Sequence, residues 1–176
     1  MSRWMATPRQ SDWEIAKRFG RYLLTKPRAT LFYDWQSMPT ELVAYSDTDW
    51  AGCKSTRRST SGGMIMHGNH LIRSWSRMQN LVSLSSAEAE LYGTVRASSE
   101  LLGCRSLARD FGQGPSARLY ADASAALGII HRQGLGKVRH LDTNALWVQQ
   151  AARAKLISYV KILGTRNPAD MAQVSA

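Results

Sequence analysis

Apolar residues recur at helical spacing at Ile15, Phe19, Tyr22 and Leu23, behind a Ser11–Glu14 pair with capping-box spacing, which predicts a helix over about 11–25. Lys26-Pro27 ends it. Residues 27–40 hold turn formers without a period, so the first 40 residues read as a helix and tether leading into a domain over 41–176. The pattern then changes to short β-like runs at 42–47, 64–67 and 71–75, punctuated by Gly62-Gly63 and Gly68-Asn69, which predicts a three-stranded meander with a tight second turn. A long helix follows over about 86–111, ended by Gly112, with Ala87, Leu91, Val95, Ser98 and Leu102 on one stripe. Strand 118–121, helices over 124–133 and 143–154, strand 156–162 and a last helix opening at Asn167-Pro168 complete the order. That order predicts a mixed α/β sheet, antiparallel at its start and parallel afterwards.

Composition narrows the function classes. At 176 residues and 44% hydrophobic, the chain has enough apolar material for a packed core and is no disordered basic tail. Lys and Arg outnumber Asp and Glu by 23 to 13, a net charge of +10, which favours a polyanionic partner over a small neutral ligand. No stretch approaches the roughly 18 apolar residues a membrane span needs, and the first residues lack a secretory core, so the expectation is an intracellular protein without a membrane partner. Cys53 and Cys104 are isolated and fit neither a disulfide framework nor a zinc site.

The scarce acids fall at informative places. Asp47 closes the first strand, Asp122 follows the fourth, Glu88 and Glu90 lie in the first turns of the long helix, and Asp170 opens the last one. Strand ends and helix starts on one edge of a mixed sheet can converge, and carboxylates gathered there need cations, for which Mg²⁺ or Mn²⁺ is the chemical match. Each acid also has a structural reading, as a turn former, an N-cap or a partner of a helix dipole. The Ser85-to-Glu88 spacing is a capping box, which gives Glu88 a structural task and leaves Glu90 without one. The two glutamates stand about 200° apart around the helix and do not share a ligand. Asp49 shares a strand face with Asp47 and is either an outer partner or the alternative to it.

These residues stand in a recognisable arrangement. Tyr45-Ser46-Asp47-Thr48-Asp49-Trp50-Ala51-Gly52-Cys53, then Thr56-Arg57-Arg58-Ser59-Thr60-Ser61-Gly62, then Leu84-Ser85-Ser86-Ala87-Glu88-Ala89-Glu90-Leu91-Tyr92 resemble the ribonuclease H domain of copia-type LTR retrotransposon polyproteins. The likeness continues through Tyr120-Ala121-Asp122-Ala123-Ser124-Ala125, Lys137-Val138-Arg139-His140-Leu141-Asp142 and Asn167-Pro168-Ala169-Asp170-Met171-Ala172, and covers about residues 42–172. The first 40 residues resemble the end of the preceding reverse transcriptase and its connection, and the chain ends sooner after Asp170 than the family does.

The resemblance implies the ribonuclease H-like fold, a five-stranded mixed sheet flanked by helices, and metal-dependent hydrolysis of the RNA strand of RNA–DNA hybrids. It places the catalytic carboxylates at Asp47, Glu90, Asp122 and Asp170, around two Mg²⁺ ions about 4 Å apart, with Mn²⁺ as a substitute. By the same likeness Asp47 bridges both ions, Glu90 and Asp122 hold the ion nearer the leaving group, and Asp170 completes the shell of the other. The reverse transcriptase part of the same polyprotein is the implied partner, and a cytoplasmic virus-like particle or the nucleus the implied location.

Phosphate contacts are expected from Lys54, Arg57 and Arg58 after the first strand, and from Arg132, Lys137 and Arg139 between the middle helices. The bland reading of each is a solvated charge. Ser59, Thr60 and Ser61 have the chemistry to sense 2′-hydroxyls, and His140 either touches phosphate or packs beside Asp142. Two rival expectations remain: a catalytically silent nucleic-acid-binding domain of the same fold, and a decayed fragment without a role.

Overall fold

The computed structural model describes residues 7–28, 30–134, 136 and 143–170. They fall into two units that divide between Asp34 and Trp35. The first contains helix α1 (Gln10–Thr25), none of whose residues is buried. Its capping pair is Arg9 with Asp12, whose carboxylate accepts the Arg9 N–H at 2.8 Å, instead of the expected Ser11 with Glu14. Glu14 is taken up by an exposed ion pair with Lys17 at 3.0 Å.

The second unit is built on a five-stranded sheet in the order β3-β2-β1-β4-β5, the strands being β1 (Glu41–Asp49), β2 (Thr60–His67), β3 (His70–Met78), β4 (Ser116–Ala121) and β5 (Ser158–Lys161). The first three pair antiparallel, and β1–β4 and β4–β5 pair parallel, as the element order implied. β1 is therefore central and stands where the sheet changes sense, with its C-terminal end beside that of β4. Crevices at such a switch are where open α/β sheets bind ligands.

β2 begins four residues earlier than its apolar run. Gly62 and Gly63 lie inside the strand, not in a turn, because Gly63 pairs across from Trp75 of β3 and the indole covers it. A Cβ on Gly63 would come within 2.2 Å of that ring.

Helix α2 (Ser86–Asp110) packs on β1, β2 and β4, and helices α3 (Ser124–His131) and α4 (Trp147–Arg153) pack on one another. Leu42, Ala44, Ile65, Leu91, Leu101, Leu119, Ile130, Val148 and Ile157 form the core. The buried stripe of α2 runs through Leu91, Thr94, Ala97, Ser98 and Leu101, rotated from the expected one, while Val95 and Leu102 are only partly buried. Its hydroxyls turn inward without cost because the helix satisfies them: Thr94 Oγ1 donates to Glu90 O at 2.8 Å and Ser98 Oγ to Thr94 O at 2.7 Å.

A short 3₁₀ turn (Gly164–Arg166) follows β5. Residues 168–169 then form a turn, and most of the expected last helix lies outside the described residues. His67 and His70 are half-buried. Gln36 Nε2 bonds the His67 carbonyl and the His70 ring, and the His67 ring bonds Pro39 O, so the end of the tether is clasped to the β2–β3 turn. Among the described residues no helix is long and apolar enough to cross a membrane.

Candidate metal centre

Three chain segments deliver three acids to one point. Asp47 sits near the C-terminal end of β1, Asp122 just beyond β4, and Glu90 in the second turn of α2, and a ligand oxygen from each lies within 4.8 Å of the others. Neighbouring parallel strands account for the first two: Ser46 pairs with Ala121, so the residues that follow emerge side by side. The close approach of α2 accounts for the third. Gly93, one turn beyond Glu90, lies so near β1 that a Cβ there would fall 2.3 Å from Thr48 Oγ1.

The charges are crowded and largely out of water. Asp47 is 8% exposed and Glu90 9%. Burial, then the nearby charges of Asp122 and Asp170, push the Asp47 carboxyl up to about 6. Burial, then Asp122 and Asp47, push Glu90 up to about 8. Among the described residues Glu90 Oε2 is buried with no hydrogen-bond partner. Buried acids that repel one another, with one oxygen unclaimed by the protein, are the donor set a hard divalent cation fits, and Asp47, Glu90 and Asp122 are the residues that would hold it.

Asp170 stands apart. It is exposed and is not one of the three, although its charge contributes to the raised Asp47 value. The segment carrying it is pinned by Asn167, buried, whose Nδ2 donates 2.9 Å to Ser46 O, next to Asp47, and whose Oδ1 accepts the Ala169 N–H. Asp49, the last residue of β1, supports the loop that follows: its carboxylate fills the space beside Gly52, where a Cβ would be 1.7 Å from Oδ2. Glu88 takes its capping role, accepting the Leu84 N–H at 2.7 Å while its own N–H donates to Ser85 Oγ at 3.2 Å.

Lys54, Arg57 and Arg58 are exposed on the β1–β2 loop. Ser59 and Thr60 are buried beneath it, and Ser59 Oγ accepts the Ala51 N–H at 3.1 Å, so this hydroxyl closes the loop. Ser61 is buried too and bonds Gln79. Arg132 is half-buried just past α3, while Lys137, Arg139 and His140 lie outside the described residues. Gly93 and Asn167 adjoin the centre without having been given a role there from sequence. A glycine inside a helix that faces a strand was the one available signal, since buried amides in loops leave no periodic trace.

No protein-family model matches the chain. It is 26% identical over 173 residues to the retrovirus-related Pol polyprotein from transposon TNT 1-94 of Nicotiana tabacum, covering 97% of this chain and 13% of that one. It is 37% identical over 112 residues to the corresponding polyprotein of transposon RE2 of Arabidopsis thaliana, covering 64% of this chain and 8% of that one. The chain thus spans a small fraction of the length of these relatives. Among solved structures it is similar to LC11-RNase H1, isolated from compost by a metagenomic approach, with a TM-score of 0.52 and 16% identity over 76% of this chain and 92% of that one. The N-terminal RNase H domain of a Mycobacterium tuberculosis protein is similar to the same degree, at a TM-score of 0.52 and 18% identity over 77% of this chain and 95% of that one. Sequence relatives, strand order and fold agree: the chain is similar to a segment of the retrovirus-related Pol polyproteins of plant copia-type transposons and has the ribonuclease H-like fold.

Proposed function

We propose that this chain is a divalent-metal-dependent endonuclease that hydrolyses the RNA strand of RNA–DNA hybrids, working as part of a transposon polyprotein beside its reverse transcriptase. The observation that carries the reading is the convergence of Asp47, Glu90 and Asp122 within 4.8 Å, with a buried Glu90 oxygen left unpartnered. Bound divalent ions of the Mg²⁺ class supply an activated water and Lewis-acid stabilisation of the leaving oxygen. Asp47, central and most hemmed in by like charge, is the acid suited to hold two ions. Glu90, from the helix, and Asp122, from the neighbouring strand, flank it. Asp170 approaches from the Asn167 anchor and adds charge at the outer side. The metal ions take over acid–base duty, so no side-chain nucleophile is required.

The exposed Lys54, Arg57 and Arg58, together with Arg132, provide phosphate contacts that hold a duplex without reading its sequence. Lys137, Arg139 and His140, outside the described residues, are proposed as phosphate contacts of the same kind. The exposed position of Asp170 favours a second reading, a domain that binds hybrid without turning it over.

A labelled RNA–DNA hybrid incubated with the full chain, with and without Mg²⁺, separates the two. Metal-dependent cleavage that Asp47→Asn reduces by at least about 10²-fold supports the enzyme, given what such charge-stabilising groups contribute. Salt-sensitive binding without cleavage supports the silent domain.

A further inference from the structure

The amide of Gln79 is the most fully engaged polar side chain near the acids, and nothing in the chemistry above uses it. Gln79 follows β3 directly, and its backbone N–H donates to Ser59 O at 2.8 Å, prolonging the β2–β3 pairing by one step. Its side chain then joins three elements. Nε2 donates to Ser61 Oγ of β2 at 2.8 Å and to the Ala89 carbonyl of α2 at 2.8 Å, while Oε1 accepts Ser83 Oγ at 3.0 Å. Ser83 O in turn accepts the Trp50 indole N–H at 3.2 Å.

The two donor bonds end next to the two buried acids of the centre. Ala89 immediately precedes Glu90. Ser61 Oγ is 3.5 Å from Thr48 Oγ1, and Thr48 immediately follows Asp47. A continuous path of side chains therefore runs from the neighbour of Asp47 to the neighbour of Glu90, with Gln79 as its middle link. The centre depends on that spacing, because Asp47 and Glu90 belong to different elements and repel each other.

We propose that Gln79 is a positioning residue for the metal centre. Acting through Ser61 Oγ and the Ala89 carbonyl, it fixes the first turns of α2 against β2, so that Glu90 and Asp47 present their oxygens to a common cation. The inference rests on the metal-dependent reading above and assigns to that centre an outer support. Outer supports of this kind typically change metal affinity by about 10- to 100-fold.

The test is Mn²⁺ binding to the full chain by calorimetry, compared between the unaltered protein and Gln79→Met, which keeps the volume and removes all three side-chain bonds. The expected result is an Mn²⁺ dissociation constant raised about tenfold or more. The half-saturating Mg²⁺ concentration for hybrid cleavage should rise in step, with an unchanged KM for hybrid at saturating metal. A lowered melting temperature with Mn²⁺ affinity within about twofold of the unaltered protein overturns the proposal and leaves Gln79 a plain fold support. Should Gln79→Met not fold, Ser61→Ala removes one link alone. Its Mn²⁺ affinity should then fall by a smaller factor, and unchanged affinity overturns the proposal equally. Unaltered protein that binds no Mn²⁺ overturns the parent reading of the centre, a result distinct from retained binding in Gln79→Met.

Discussion

Two helices of this chain invert the usual relation between pattern and burial. α1 spaces Ile15, Phe19, Tyr22 and Leu23 along one side and yet buries none of them. α2 is studded with Ser, Thr, Glu and Gly, and yet it buries more residues than any other described helix of its unit. An apolar stripe expresses a need for a partner, which α1 does not meet within its own unit. The polar inward face of α2 is paid for by specific bonds: Thr94 and Ser98 spend their hydroxyls on carbonyls of their own helix, and Glu88 spends its carboxylate on the helix start. The exception is Glu90, whose buried oxygen the described protein leaves unclaimed. A buried carboxylate oxygen without a partner, close to two further acids, marks the place where the fold serves chemistry.

Truncating a core residue of α2 and a surface residue of α1 gives the largest contrast. Leu101→Ala should cost about 2–5 kcal/mol in chemical denaturation, since Leu101 is completely buried. Phe19→Ala should stay within about 0.5 kcal/mol, as an exposed position does. Equal effects would mean that α1 is packed after all.

Adding a methyl group sharpens the same comparison. Gly93→Ala forces Thr48 and α2 apart and should destabilise by about 1–3 kcal/mol while weakening Mn²⁺ binding. Gly20→Ala meets nothing within 4 Å and should stabilise the helix by about 0.5–1 kcal/mol, read as a rise in helix content by circular dichroism, with metal affinity unchanged.

A further contrast concerns pH. Asp47 and Glu90 are raised to about 6 and about 8, so between the ordinary carboxylate range and those values the folded protein holds more protons than the unfolded chain. Stability of the metal-free protein should therefore fall as pH rises from about 4 to about 8, and millimolar Mg²⁺, which favours the ionised acids, should flatten the fall. A thermal-melt series with and without Mg²⁺ measures it.

Much of the architecture was legible because it rests on local signals. The succession of strands with its antiparallel start and parallel end, the long helix, its Ser85–Glu88 cap and the strand-end positions of Asp47 and Asp122 all follow from periodicity and turn chemistry. What was hidden depends on contacts between distant segments. Gly62-Gly63 reads as a turn until Trp75 lies over it. Ser59 and Thr60 read as substrate-sensing hydroxyls until the loop folds over them. Asn167 and Gln79 are polar residues in connecting segments, and only their carbonyl and hydroxyl partners reveal what they hold.

The central claim is that Asp47, Glu90 and Asp122 together hold a divalent cation. Anomalous diffraction from crystals of the full chain soaked in Mn²⁺ addresses it most directly. The account predicts a Mn²⁺ peak ligated by oxygens of all three acids and lost in Asp47→Asn. Manganese bound elsewhere on the surface, with the three carboxylates free of metal at saturating concentration, would contradict it.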